Sequence, residues 1–422
     1  MTLKSTRIVV TGMGAVTPFG IGVNPFWDAL LAGKSAVKET ENELWKKWIP
    51  VLAEIPEFDP LEYLTKKQVR NTDRFTQITL IAAAEAIKDA GLSSDDPDVA
   101  WKPDTSAHRI GISVGTAYGG VGTLAEGAET LTMNPDKRMS PRLLSKSLPN
   151  AAAAALALNY AVRGPVMTYT TACASSANSI GEGVAWLQTG KVDLVIAGGS
   201  ESLFSPVVLS SLRSAGAIAT EGPEDFSAWS RPFDANRKGM VAGEGAAFMV
   251  LEPYDRAVKR GAKIYAELAG YGASNDAYHE TAPHPEGAGA ALAIVQALED
   301  AGIDANKIDY INAHATATPA GDKAESIALK RVFGEQLADI PVNSIKGAIG
   351  HLIGSAGAIE SIACIKSIET GMLPPTLHCT DPDPDAPSNL VLKTQQHHVK
   401  HVLSNSFGFG GQNGSLIWKS VE

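Results

Sequence analysis

Cysteine is scarce in this chain, with Cys173, Cys364 and Cys379 the only three among 422 residues. An odd count without Cys-x-x-Cys spacing supports neither a disulfide framework nor a thiolate zinc site. Basic residues are outnumbered by acidic ones, for a formal net charge of -10. That argues against nucleic acid as a main partner, because phosphate binding needs a basic footprint. An acidic protein partner would have to dock on local basic patches. No apolar run approaches the length of a membrane span, and "MTLKSTRIVVTGMG" enters a strand without a basic-then-apolar leader. The expectation is a soluble, unprocessed protein of a reducing cytoplasm.

What is plentiful is apolar and small. With 44% hydrophobic residues and 40 glycines the chain can bury an ample interior, and its length predicts two domains or two halves of one duplicated domain. Strand-like runs ("RIVVTG", "RIGISVGT", "VDLVIAGG") alternate with helix-like ones throughout, the grammar of an α/β protein. The helix starting at Asp73 has apolar positions at Phe75, Ile78, Leu80, Ile81, Ala84 and Ile87 and ends at Gly91. "RIVVTGMGAV" has a counterpart in "IYAELAGYGAS", and the strand and helix around Cys173 have one in "VNSIKGAIGHLIGSAGAIESIACIKSIETG". A duplication with halves 1–258 and 259–422, joined through the charged segment "PYDRAVKRG", would set Cys173 and His351 at equivalent corners facing one site.

"GMGAVTPFG" is not a dinucleotide fingerprint, since Thr17 stands where the third glycine belongs and Pro18 follows; a tight loop after the first strand is the better reading. Cys173 is the notable cysteine. It follows the strand-like "VMTYTTA" and opens a helix of small residues, where the helix dipole and unpaired N–H groups favour thiolate. Cys364, on an apolar helix, and Cys379 read as core fillers. His314 sits where "IDYIN" meets a Thr/Ala loop, His351 lies between glycines before a helix, and Lys346 precedes it by five positions. "SNSFGFGGQNG" is a glycine-rich turn carrying Phe407 and Phe409, suited to an apolar ligand's path or a gate. From spacing alone, one cysteine, two histidines and a lysine fit a cysteine hydrolase, an acyltransferase or a carbon–carbon bond-forming thioester enzyme. A metal reading is poor, because no two ligands share a helical or short-loop spacing.

Four motifs in order, "TACASS", "NAHATATPAGDKAE", "SIKGAIGHLIGSAGAIES" and "NSFGFGGQNG", with "RPFDANRKGMVAGEGAAFMVLE" between them, resemble the elongating β-ketoacyl-acyl-carrier-protein synthases of the condensing-enzyme, or thiolase-fold, superfamily. The resemblance covers essentially the whole chain. It implies a five-layered αβαβα arrangement of duplicated halves, a homodimer or a pair with a homologous subunit, and decarboxylative condensation of an acyl group with a malonyl group on acyl carrier protein. Cys173 would take the acyl chain, with its own N–H and that of Phe409 as oxyanion hole, while His314 and His351 hold the malonyl thioester carbonyl. Lys346 would order the site with Glu325, Asp322 with Thr316 and Thr318 would position the pantetheine arm and loop, and Phe409 would gate entry. Tyr118 would line the acyl channel. Lys66, Lys67, Arg70, Lys137 and Arg138 would meet the acidic carrier. No cofactor is implied beyond a structural monovalent cation, sodium or potassium, at Asn312, Ala313, Glu360, Ser404 and Asn405. Two departures, "ATAT" after His314 and "IKGAIGH" around His351, bear on pocket shape rather than chemistry. The alternatives are the active ketosynthase subunit of a discrete polyketide system, a cysteine-dependent acyl thioesterase, and a non-enzymatic acyl-carrier scaffold.

Overall fold

Ile8–Thr17 form one buried strand, β1, that runs straight through the glycines of "TGMGAVT". The loop expected there begins only at Pro18. A Cβ on Gly12 or Gly14 would stand 2.2 or 2.1 Å from carbonyl oxygens of the helix Arg74–Asp89, α1, so these glycines exist to let strand and helix touch. The computed structural model describes residues 6–421 except 95 and 97–99. In α1 the expected apolar positions are buried apart from Ala84, which faces solvent.

The other principal strands are β2 (Ile110–Gly115), β3 (Val166–Tyr169), β4 (Leu194–Glu201), β5 (Gly245–Pro253), β6 (Ala266–Asn275), β7 (Tyr310–Asn312), β8 (Val342–Asn343), β9 (His401–Gly408) and β10 (Gln412–Lys419). They hydrogen-bond in the order β3-β2-β4-β5-β1-β6-β10-β9-β7-β8, with Gly20–Ile21 as an eleventh strand beside β1. From the centre outward each half repeats one pattern. β1 pairs antiparallel with β5, β5 antiparallel with β4, and β4, β2 and β3 are parallel; β6, β10, β9, β7 and β8 follow the same scheme. The halves join where Ile8, Val9 and Val10 pair antiparallel with Leu268, Glu267 and Ala266, a self-reciprocal register about a pseudo-twofold axis. The duplication suspected from the sequence is therefore a property of the topology.

Helices complete five layers. α1 and α2 (Ala151–Tyr160) cover the outside of the first half, while α4 (Ala288–Ala301) and α5 (Pro319–Phe333) cover the second. Between the two half-sheets lie α3 (Ser175–Gln188) and α6 (Ala356–Thr370), which touch one another and strands of both halves. A helix walled by protein on every side is buried all round, which explains why both sequences are small and apolar. Among the described residues, no helix is long and apolar enough to cross a membrane.

Candidate functional site

The two central helices are entered through the same turn. A 3-10 turn at Ala172–Ala174 leads into α3, and one at Ile353–Ser355 leads into α6, each opened by a residue in the left-handed region: Ala172 at φ 49° and Ile353 at φ 46°. That backbone is costly for alanine and more so for β-branched isoleucine, so packing must hold it. At the first corner Ser175 Oγ accepts from Thr171 N–H at 2.9 Å and donates to the Ala172 carbonyl at 2.6 Å, while Asn178 donates to Thr171 Oγ1. By this equivalence Cys173 corresponds to Gly354, and His351 stands three residues earlier along its own corner. The facing corners expected from the sequence exist, with that offset.

Cys173, His314 and His351 converge. One ligand-capable atom from each lies within 4.8 Å of those of the other two, and all three residues are buried. The imidazoles meet edge to face with centroids 5.2 Å apart, and Phe407 packs on His314 at 5.9 Å. Nδ1 of His314 and both ring nitrogens of His351 are buried without a hydrogen-bond partner. Burial, reinforced by the Lys346 charge, holds both imidazoles well below their ordinary pKa, so both are neutral at neutral pH.

The thiol differs from expectation. Cys173 lies in the 3-10 turn ahead of α3, 8% exposed, and burial pushes it up to about 11, against the opposing pull of Lys346 and of the Phe409 backbone N–H at its sulfur. The resting group is a thiol whose proton must leave during acyl transfer, and the neutral imidazoles are the adjacent bases. Alkylation by iodoacetamide is therefore expected to rise about tenfold per pH unit between pH 7 and 9, because only thiolate reacts. A plateau below pH 8 would restore the thiolate reading.

Lys346 lies close enough to Glu325 to pull its carboxyl down, as expected, against the burial that pushes it up, but the direct partner of Lys346 is another carboxylate. Its ammonium, 1% exposed, pairs with Glu360 on α6. Glu325 instead accepts the N–H groups of His314 (2.9 Å) and Ala315 (2.7 Å) and the side-chain amide of Asn405 (3.1 Å), fixing the backbone that carries the first histidine. Asp322 accepts from Ala317, itself at φ 69°, and from Phe233, with Arg237 alongside. It clamps the loop and does not line the cavity, whereas Thr316 and Thr318 do, their hydroxyls 3.1 Å apart.

That cavity, about 340 Å³, leads to Cys173, His314 and His351 and is walled by Phe407 and Phe409. Its far wall is the segment 276–287, including Thr281, Pro283 and His284, which the sequence reading passed over. Asp276 joins this segment to the glycine turn by accepting from Asn413 at 2.8 Å, and Gly410 N–H donates to the Glu280 carbonyl at 2.7 Å. Tyr118 is not among the lining residues. Its N–H and that of Ala117 donate to Glu201, a buried carboxylate also unremarked in the sequence, which burial pushes up to about 7.

Lys66, Lys67 and Arg70 are exposed on the helix Lys66–Asn71, and Lys137 and Arg138 are exposed beyond the helix Val121–Met133. Of the cation residues, Asn312, Ala313, Glu360, Ser404 and Asn405 are all buried. Asn312 and Ser404 are register partners, and Asn312 Oδ1 and Glu360 Oε2 lack partners.

Residues 5–257 match the family model described as beta-ketoacyl synthase, N-terminal domain, and residues 265–380 match its C-terminal domain. The chain is 37% identical over 421 residues to 3-oxoacyl-[acyl-carrier-protein] synthase 2 of Staphylococcus aureus strain N315, covering 99% of each. Among solved structures it is similar to the ishigamide ketosynthase/chain length factor (TM-score 0.90, 33% identity, 99% of this chain and 100% of that one). It is also similar to a type II polyketide ketosynthase, AntDE, bound to the hexaketide in complex with its acyl-carrier protein AntF (TM-score 0.89, 31% identity, 99% and 100%).

Proposed function

Because this chain belongs to the beta-ketoacyl synthase family, we propose that it elongates an acyl chain held on Cys173 by decarboxylative condensation with malonyl-acyl carrier protein, in fatty acid or polyketide synthesis. The observation that carries the reading is the convergence, at the end of a cavity, of one buried thiol with two neutral imidazoles, of which His351 lacks a partner at either nitrogen and His314 at Nδ1. The first half, 1–258, supplies the thiol; the second, 259–422, supplies both histidines.

In the first step Cys173 sulfur attacks the acyl thioester as its proton passes to a neighbouring imidazole; the tetrahedral adduct collapses with cleavage of the bond to the carrier sulfur, which takes that proton and departs as thiol. The N–H of Phe409, already at the sulfur, and that of Cys173 stabilise the oxyanion. In the second step malonyl carrier enters past Phe409, its pantetheine arm against Thr316 and Thr318. As carbon dioxide leaves, negative charge develops on the thioester oxygen, where N–H donors on His314 and His351 hold it better than the ground state. The enolate carbon attacks the acyl-Cys173 carbonyl, and Cys173 leaves as thiolate and regains a proton. Neutral resting imidazoles suit both steps: a free lone pair accepts the Cys173 proton in the first, and an N–H from each ring faces the developing enolate oxygen in the second.

The same reading would put a structural monovalent cation at Asn312, Ala313, Glu360, Ser404 and Asn405; in its favour, Asn312 and Ser404 are neighbours in register, and Asn312 Oδ1 and Glu360 Oε2 are buried without partners. The reaction needs no other cofactor. Tyr118 does not line the described cavity, so its proposed role, to shorten or redirect an acyl channel on the other side of Cys173, rests on the family resemblance alone; a Tyr118→Ala variant should shift products toward longer chains, and an unchanged chain-length distribution would remove that role.

The partner is acyl carrier protein. Reversing the charges of Lys66, Lys67 and Arg70 should raise the KM for carrier-bound substrate by about 10-fold or more at low salt, less at high salt, and spare small thioester mimics. Equal loss on both substrates would sink the docking role. The dimer partner is a second copy or a homologous chain-length subunit, and co-purification with such a chain tells them apart. The cytoplasm is the compartment in which three free cysteines and a cytosolic carrier belong.

Incubation with acyl- and malonyl-carrier proteins tests the reading: 3-ketoacyl carrier and carbon dioxide support it, and free acid alone would return the thioesterase alternative, which the relatives' assigned activities do not favour. A scaffold role would leave Cys173 and both histidines without purpose.

A further inference from the structure

The sequence offered no thiolate or imidazole metal site, because its soft ligands are far apart along the chain; the fold brings three of them together. The geometry points to a second property of the Cys173–His314–His351 cluster: it is a three-ligand site for a soft divalent cation of the zinc type, whose binding blocks acylation. One sulfur and two imidazole nitrogens within 4.8 Å of one another need to close by only about 1 Å to surround an ion at the usual Zn–S and Zn–N lengths. No hydrogen bond competes with an ion for either ring nitrogen of His351 or for Nδ1 of His314. A thiolate with two imidazoles is a donor set that zinc favours and magnesium or calcium does not, and the cavity leaves a fourth position for water. Lys346 does not oppose the ion alone, because Glu360 pairs with it and Glu325 lies beyond. Binding replaces the thiol proton by the metal, so one proton leaves per ion bound and affinity rises with pH. Sulfur held in this way cannot attack a thioester. The enzyme's first step would then be reversibly sensitive to free zinc.

The test uses the full chain, stripped by chelator, with zinc chloride as probe and magnesium chloride as control. Iodoacetamide labelling of the Cys173 peptide, followed by mass spectrometry, should slow by about 10-fold or more with one equivalent of zinc, recover on adding chelator, and ignore magnesium. Titration calorimetry in two buffers should show one proton released per zinc. Cys173→Ala and His351→Ala, each checked for native circular dichroism, should weaken zinc binding by more than about 100-fold, beyond what loss of a supporting residue costs. Unchanged labelling of the wild-type chain with zinc bound would overturn the proposal without reliance on any variant. So would equal protection by magnesium, or equal zinc affinity in the Cys173→Ala protein, which would place the ion elsewhere, on a surface histidine such as His279 or on His284 in the cavity wall.

Discussion

Cys173→Ala should lower condensation by on the order of 10⁵-fold or more, the scale on which loss of a covalent nucleophile is felt. The same protein should still release carbon dioxide from malonyl carrier, because the groups assigned to that step, His314 and His351, are untouched. The substitution removes one buried sulfur from a turn whose backbone is held by Ser175 and Asn178, so the fold should persist. Condensation and decarboxylation are thus expected to separate in one variant. If carbon dioxide release fell in proportion to condensation, the sulfur would belong to both steps.

His351→Ala and His314→Ala make the complementary prediction. Each should lower carbon dioxide release by about 10²–10³-fold, the usual loss when one donor is removed from a developing oxyanion. The double variant should be little worse than either single one, as for residues that act together. His351 is a suitable place for the cut. It is 1% exposed with no partner at either nitrogen, so its removal orphans no other polar group and costs mainly packing. Iodoacetamide should still label Cys173 in both variants. Lost labelling with carbon dioxide release unchanged would mean that the histidines serve the thiol and not the enolate.

The parts of this account legible in the sequence were those written in local pattern. Alternating strands and helices gave the α/β class, and small residues running on from Cys173 and from His351 marked two matching helices, whose place between the half-sheets only the fold shows. The residues brought together in space were harder to read. Glu325 was expected beside Lys346, and only the fold shows that Glu360 reaches the ammonium while Glu325 turns to the backbone of His314. The acidity of Cys173 was misjudged for a similar reason: a helix N-terminus is visible in sequence, but the desolvation that outweighs it is tertiary. "GMGAVT" looked like a loop because glycine is a turn residue, whereas here it serves the approach of α1 to β1. The segment 276–287, polar and without periodicity, gave no signal, yet it forms one wall of the cavity. Glu201 was hidden at the end of an apolar strand and is revealed only by the N–H groups that converge on it.

The central claim is that acyl transfer to Cys173 and decarboxylative attack on it are successive steps at one cluster. A single turnover tests it most directly. The wild-type chain is loaded from acyl carrier until mass spectrometry shows one acyl group on the Cys173 peptide, then mixed with carboxyl-labelled malonyl carrier and quenched. The account predicts that acyl-Cys173 disappears at the rate at which 3-ketoacyl carrier forms, with one labelled carbon dioxide per product. Acyl-Cys173 that decays to free acid, or product that forms while the acyl group stays on Cys173, would contradict it.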